Sequence, residues 1–149
     1  MRLTILLAGG GAGLALAAAL GGWLALAPAA GADPSDPAQV ARGQAVYADF
    51  CASCHGADLE GQPDWKTRNA AGRLPAPPHD VTGHTWHHPD AMLFDITKNG
   101  IAAIAPPGYE SDMPGFGEAL SDDDIWAALA FIKSRWPAET LRRQQAVGG

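Results

Sequence analysis

Hydrophobic positions along this chain form one long uninterrupted stretch and then three helical rhythms separated by loops. From residue 3 to residue 32 there is no charged side chain, and Leu, Ala and Gly dominate. Beyond that stretch, Val40, Gly43, Tyr47 and Phe50 recur at steps of three and four, which predicts an amphipathic helix over about residues 37–51. Asp36 suits its N-cap, because a carboxylate accepts from the free N–H groups of the first turn, and Pro37 has no N–H to leave unpaired there. Gly43 is costly inside a helix, so it is either a tolerated glycine or the point where another backbone comes close. Residues 56–88 are rich in Gly, Pro and polar side chains without sustained periodicity and read as loop. Pro89-Asp90 opens a second helix carrying Leu93, Phe94 and Ile96, ended by Asn99-Gly100. Residues 101–117 are loop again. The last rhythm is the clearest: Ile125, Leu129, Ile132 and Trp136 make one stripe, widened by Trp126 and Ala130. Ser121 caps that helix, Asp122, Asp123 and Asp124 suit its positive end, and Lys133 and Arg135 suit its negative end. Pro137 marks its end, and the polar tail to Gly149 reads as frayed chain. Strand signals and internal repeats are absent, so the expected fold is small and all-α.

The leading stretch changes the count of what folds. Met1-Arg2 is a positive start, and Ala30-Gly31-Ala32 is a small-residue end of the Ala-x-Ala kind, just before Asp33. These mark residues 1–32 as a secretory signal cleaved after Ala32, leaving one domain over residues 33–149 in the periplasm. The alternative is an uncleaved membrane anchor facing the periplasm, since about 20 apolar residues span a bilayer; the glycines from Gly9 to Gly22 dilute its hydrophobicity. Without Arg2 the chain holds 9 basic and 16 acidic side chains, a net charge of −7. It has no basic blocks, which speaks against nucleic acid, and its acidity suits docking on a basic patch of another protein.

The two cysteines lie three positions apart in Cys51-Ala52-Ser53-Cys54-His55. One disulfide would not need the histidine, and zinc would need a second ligand pair that this chain lacks. Cys-x-x-Cys-His is the haem attachment signature: two thiols add to the vinyl groups and the next residue is delivered to the iron. A bound haem also explains a long loop in a compact domain, because the chain wraps the cofactor.

With these features in order, residues 37–136 resemble a class I c-type cytochrome, monohaem and His/Met ligated. The features are the Gly43–Tyr47 helix, the Cys51–His55 motif, Met113-Pro114 some 58 residues after the histidine, and the aromatic C-terminal helix. The resemblance implies three to four helices around one covalent haem c, with Gly43 and Tyr47 packed against Trp126, Ala130 and Phe131. It implies Cys51, Cys54, His55 and Met113 as the haem-binding residues, with His55 and Met113 on the iron. Met92 sits in a helix, as a flexible gap-filler would. The alternative sixth ligand is a histidine from 79, 84, 87 or 88. The family's proline carbonyl to the ligand histidine would come from Pro77 or Pro78, although His79 stands where the family has an apolar residue. Trp86 is a propionate donor or a buried aromatic. Asp80, His84, His87 and His88 could hold a second metal, or serve as loop hydrogen-bond donors or propionate partners. The implied function is single-electron transfer between redox partners of a respiratory or related chain, with no catalytic residue. The alternative is a membrane-anchored haem subunit of an oxidase, reductase or dehydrogenase complex. A peroxidase-like enzyme would need an open distal position, against which Met113 argues.

Overall fold

The structure, a computed structural model, describes residues 31–147. Among these residues there are five α-helices and no strand: α1 Pro37–Phe50, α2 Ala52–His55, α3 Asp90–Asn99, α4 Asp122–Ser134 and α5 Ala138–Val147. Single 3₁₀ turns lie at Thr85–His87 and Ile101–Ala103. The three predicted helices stand at their expected places, and the loop over residues 56–88 is loop apart from the first of those turns.

The starts of α1 and α4 follow from their caps. Asp36 accepts from the Ala38 N–H at 2.9 Å, and Pro37 occupies the first turn. Ser121 and Asp124 form a reciprocal capping box, each side chain accepting from the other residue's backbone N–H. Arg42 on α1 reaches Asp124 on α4 at 2.8 Å and ties the two helix starts together.

Packing between α1 and α4 explains Gly43. A Cβ there would lie 1.8 Å from the Ala127 carbonyl oxygen and 2.9 Å from Phe131 Cβ, so only glycine lets the backbones approach this closely. The residue under Gly43 is therefore Ala127, with Phe131 beside it, rather than Trp126 or Ala130. Tyr47 does pack on Phe131, ring centroids 5.3 Å apart, while Trp126 stacks on Phe94 of α3 at 4.3 Å. Two buried clusters result, one around Val46, Leu93, Ile125 and Leu129, the other around Tyr47, Leu59, Phe131 and Trp136. Each large apolar side chain fully buried there is worth about 2 kcal/mol.

The tail is a helix, which corrects the expectation of frayed chain. Its sequence Ala138–Val147 is polar nearly all round, so no apolar stripe announces it. Its anchor is a buried glutamine: Gln144 donates to the His88 carbonyl at 3.1 Å and to Asp90 Oδ1 at 2.6 Å. The other Asp90 oxygen accepts from Lys133 Nζ at 2.6 Å, and that lysine side chain is 5% exposed. One carboxylate thus joins α3, α4 and α5.

Gly31 and Ala32 are the part of the expected signal that falls within the described residues. Ala32 is buried, and its carbonyl accepts from Lys133 Nζ at 3.3 Å. The Gly31 carbonyl accepts from Gln39 Nε2 at 2.8 Å. Both residues are tied into the fold rather than standing off it. No helix among the described residues is long and apolar enough to cross a membrane.

Candidate functional site

The Cys51–His55 motif is positioned by the end of α1. The Cys51 N–H still bonds back to the Tyr47 carbonyl, and α2 then turns the motif so that His55 points inward. The Tyr47 hydroxyl donates to the Gly56 carbonyl at 2.8 Å and holds the exit of the motif. Burial raises the Tyr47 hydroxyl's pKa, so it stays a donor at any ordinary pH. Cys51 is half-buried and Cys54 exposed. Burial, with Cys54 second, pushes the Cys51 thiol up to about 11, so it is neutral at physiological pH.

His55 is buried, and its Nδ1 lies 2.8 Å from the Pro77 carbonyl oxygen. A carbonyl only accepts, so Nδ1 carries the proton and Nε2 keeps its lone pair free. Burial lowers the His55 pKa, only partly offset by the Pro77 bond, and so favours the neutral ring that a metal needs. The carbonyl is that of Pro77, which resolves the choice between Pro77 and Pro78. Its loop is pressed into place by glycines: a Cβ at Gly61 (φ +70°) would lie 2.4 Å from Pro78 N, and one at Gly83 would lie 1.9 Å from the Pro78 carbonyl oxygen.

His79, two residues on, stacks on His55 with centroids 4.0 Å apart and planes 21° from parallel. Rings lying face to face cannot both aim a nitrogen at one iron from opposite sides, so His79 does not serve as the sixth ligand opposite His55. His84 stacks on Trp65 and His87 on Trp86, while His88 meets His84 edge-on. Asp80 instead accepts from the Thr82 N–H and hydroxyl. Among the described residues no three His, Cys, Asp or Glu side chains converge as a metal site would require, so the second-metal expectation finds no geometry here.

Met113 is half-buried in the loop before α4, and its N–H donates to Ser111 Oγ at 3.1 Å. That loop is clamped from across the molecule. Arg73 pairs with Asp112 and, at 3.5 Å, with Glu110, while Arg68 lies over the Tyr109 ring. The sequence reading missed this clamp, since nothing in a lone arginine 40 residues upstream of Met113 names its partner. Met92, by contrast, is 37% exposed on α3 and fills no gap in the core.

The residues fit a haem. A neutral imidazole presents Nε2, Cys51 caps and Cys54 lies on the short helix that carries His55, and the buried Trp86 Nε1 has no acceptor among the described residues, as suits an indole that donates to a propionate.

Comparison with known proteins agrees. The Cytochrome c family model matches residues 40–136. The chain is 50% identical over 106 residues to the cbb3-type cytochrome c oxidase subunit FixP of Rhizobium meliloti (strain 1021), covering 68% of this chain and 29% of that protein. It is 32% identical over 101 residues to a thiosulfate dehydrogenase of Stutzerimonas stutzeri (strain A1501), again covering 68% and 29%. The chain therefore spans less than a third of the length of either relative. No solved structure matches. With its all-α fold, motif and ligand-ready histidine, the chain belongs to the class I c-type cytochromes, electron carriers with covalent haem c.

Proposed function

We propose that Cys51 and Cys54 hold the haem through thioethers, that His55 and Met113 bind its iron, and that the protein passes single electrons between redox partners without transforming a substrate. The observation that carries this reading is the Pro77 carbonyl on His55 Nδ1, which fixes the tautomer and leaves Nε2 for the metal. Bound there, the haem supplies a one-electron ferric–ferrous couple. The chain's part is to keep water out, hold the ligands still and leave a way in. Cys54 and Ser53 are exposed, so electrons would enter and leave beside the thioethers. The Met113 thioether on the iron would raise its reduction potential, and with His55 also bound would leave no place for small ligands. The purified ferrous protein should show one reversible one-electron wave and bind no carbon monoxide. Carbon monoxide binding at neutral pH would point to an open distal position and an enzyme or sensor.

Export to the periplasm is part of the proposal, resting on the leader-like residues 1–32. The packing of Ala32 bears on where the leader is cut, if it is cut. A cut after Ala32 would remove a buried residue and one of the two acceptors of Lys133. It would also leave a new α-ammonium close to that lysine. This favours retention of Gly31-Ala32, by a cut further upstream or by an uncleaved anchor. The likeness to an oxidase subunit and to a dehydrogenase supports a haem domain that serves such an enzyme, and an uncleaved leader would tether it. Intact mass of the native protein, corrected for one haem, separates the cases: a chain starting at Asp33 would overturn retention.

A further inference from the structure

His79 occupies a place where an apolar side chain would serve for packing alone, yet it is held by hydrogen bonds and ring contacts from several elements. Its N–H donates to the Leu59 carbonyl at 2.8 Å, and its own carbonyl accepts from Trp136 Nε1 at 2.7 Å. Its Nδ1 is hydrogen-bonded to Thr85 Oγ1 at 2.8 Å, and the Tyr47 ring meets it edge-on at 6.3 Å. Thr85, Trp136, Leu59 and Tyr47 are all buried, and His79 itself is half-buried. One face of the ring lies on His55.

The Pro77 bond to His55 restrains one atom of that imidazole. A flat ring 4.0 Å away restrains its plane. In a low-spin haem the plane of the axial imidazole, relative to the four ring nitrogens, sets the splitting of the iron d orbitals and so the anisotropy of the ferric spectrum. Groups one step out from a ligand commonly orient it in this way.

We propose that His79 is a positioning residue for His55: anchored by Thr85, it fixes the plane in which the proximal imidazole meets the iron. The role rests on His55 being the iron ligand. An aliphatic side chain in its place would fill space without a flat face and without the hydrogen bond that holds the ring in register.

The test compares holoproteins by ferric electron paramagnetic resonance and haem-methyl NMR shifts. Covalent haem and the far-red sulfur-to-iron band are recorded in parallel, so that loss of the ligand set is seen separately. His79→Leu should keep the haem and the band but shift the largest g value, broaden its line and change the spread of haem-methyl shifts. Thr85→Val should do the same to a lesser degree, and His79→Phe, which keeps a flat face but loses the Thr85 bond, should come no further from wild type than Thr85→Val does. Should His79→Leu fail to assemble, Thr85→Val against Thr85→Ser decides. Unchanged spectra in His79→Leu, or in Thr85→Val where it decides, would overturn the role. So would a shift in His79→Phe as large as that in His79→Leu.

Discussion

A single methyl group added at Gly43 would sit 1.8 Å from the Ala127 carbonyl oxygen, backbone that no rotamer change can move aside. Gly43→Ala should therefore cost about 3 kcal/mol, the upper part of the overpacking range, despite the better helix propensity of alanine. Guanidinium unfolding of the holoprotein checks this, and a stabilised variant would contradict the close crossing of α1 and α4. Gly43 was legible in the sequence because a glycine within an apolar rhythm is a cost that needs a reason. Ala127 as its counterpart was not, since the stripe of α4 fixes a face but not how far two helices slide along each other. The same limit separates Pro77 from Pro78. Composition says that a proline carbonyl is available, and only the turn shaped by Gly61 and Gly83 says which one faces His55.

Helices α1, α3 and α4 were readable from caps and periodicity, whereas α5 was not, because a buried glutamine and a shared carboxylate hold it in place of an apolar stripe. Asp90→Ala should remove that joint. Lys133 would remain buried with only the Ala32 carbonyl, so a loss of about 3 kcal/mol is expected, read as a lower denaturation midpoint. At the other end of α4, the Ser121 hydroxyl chiefly, and then Arg42, hold Asp124 below the ordinary carboxylate pKa. A depressed folded pKa contributes stability above the unfolded value, and that stability is lost as pH falls through the lower folded value. Asp124→Ala should thus cost about 1 kcal/mol at pH 7, the usual worth of a capping interaction, and the difference from wild type should shrink as pH falls below about 3.9, the ordinary aspartate value. A gap that stays constant down to pH 2 would remove the capping box from the account.

Across the whole molecule, acids outnumber bases, and the pairs formed by Arg42, Arg73, Lys98, Lys133 and Arg143 occupy five of the positive charges internally. The remaining field is that of an acidic surface, which should speed encounter with a basic partner and weaken as salt screens it within about 10 Å at 0.1 M. Stopped-flow electron transfer with the physiological partner should slow as ionic strength rises. A flat or rising rate would leave apolar docking at the haem edge as the driving contact.

The central claim is the axial pair, His55 with Met113, and the ferric spectrum of the holoprotein tests it most directly. Wild type should show the weak far-red sulfur-to-iron charge-transfer band, Met113→Ala should lose it while keeping its covalent haem, and Met92→Ala should keep it. A band that survives Met113→Ala, or disappears instead in Met92→Ala, would contradict the account.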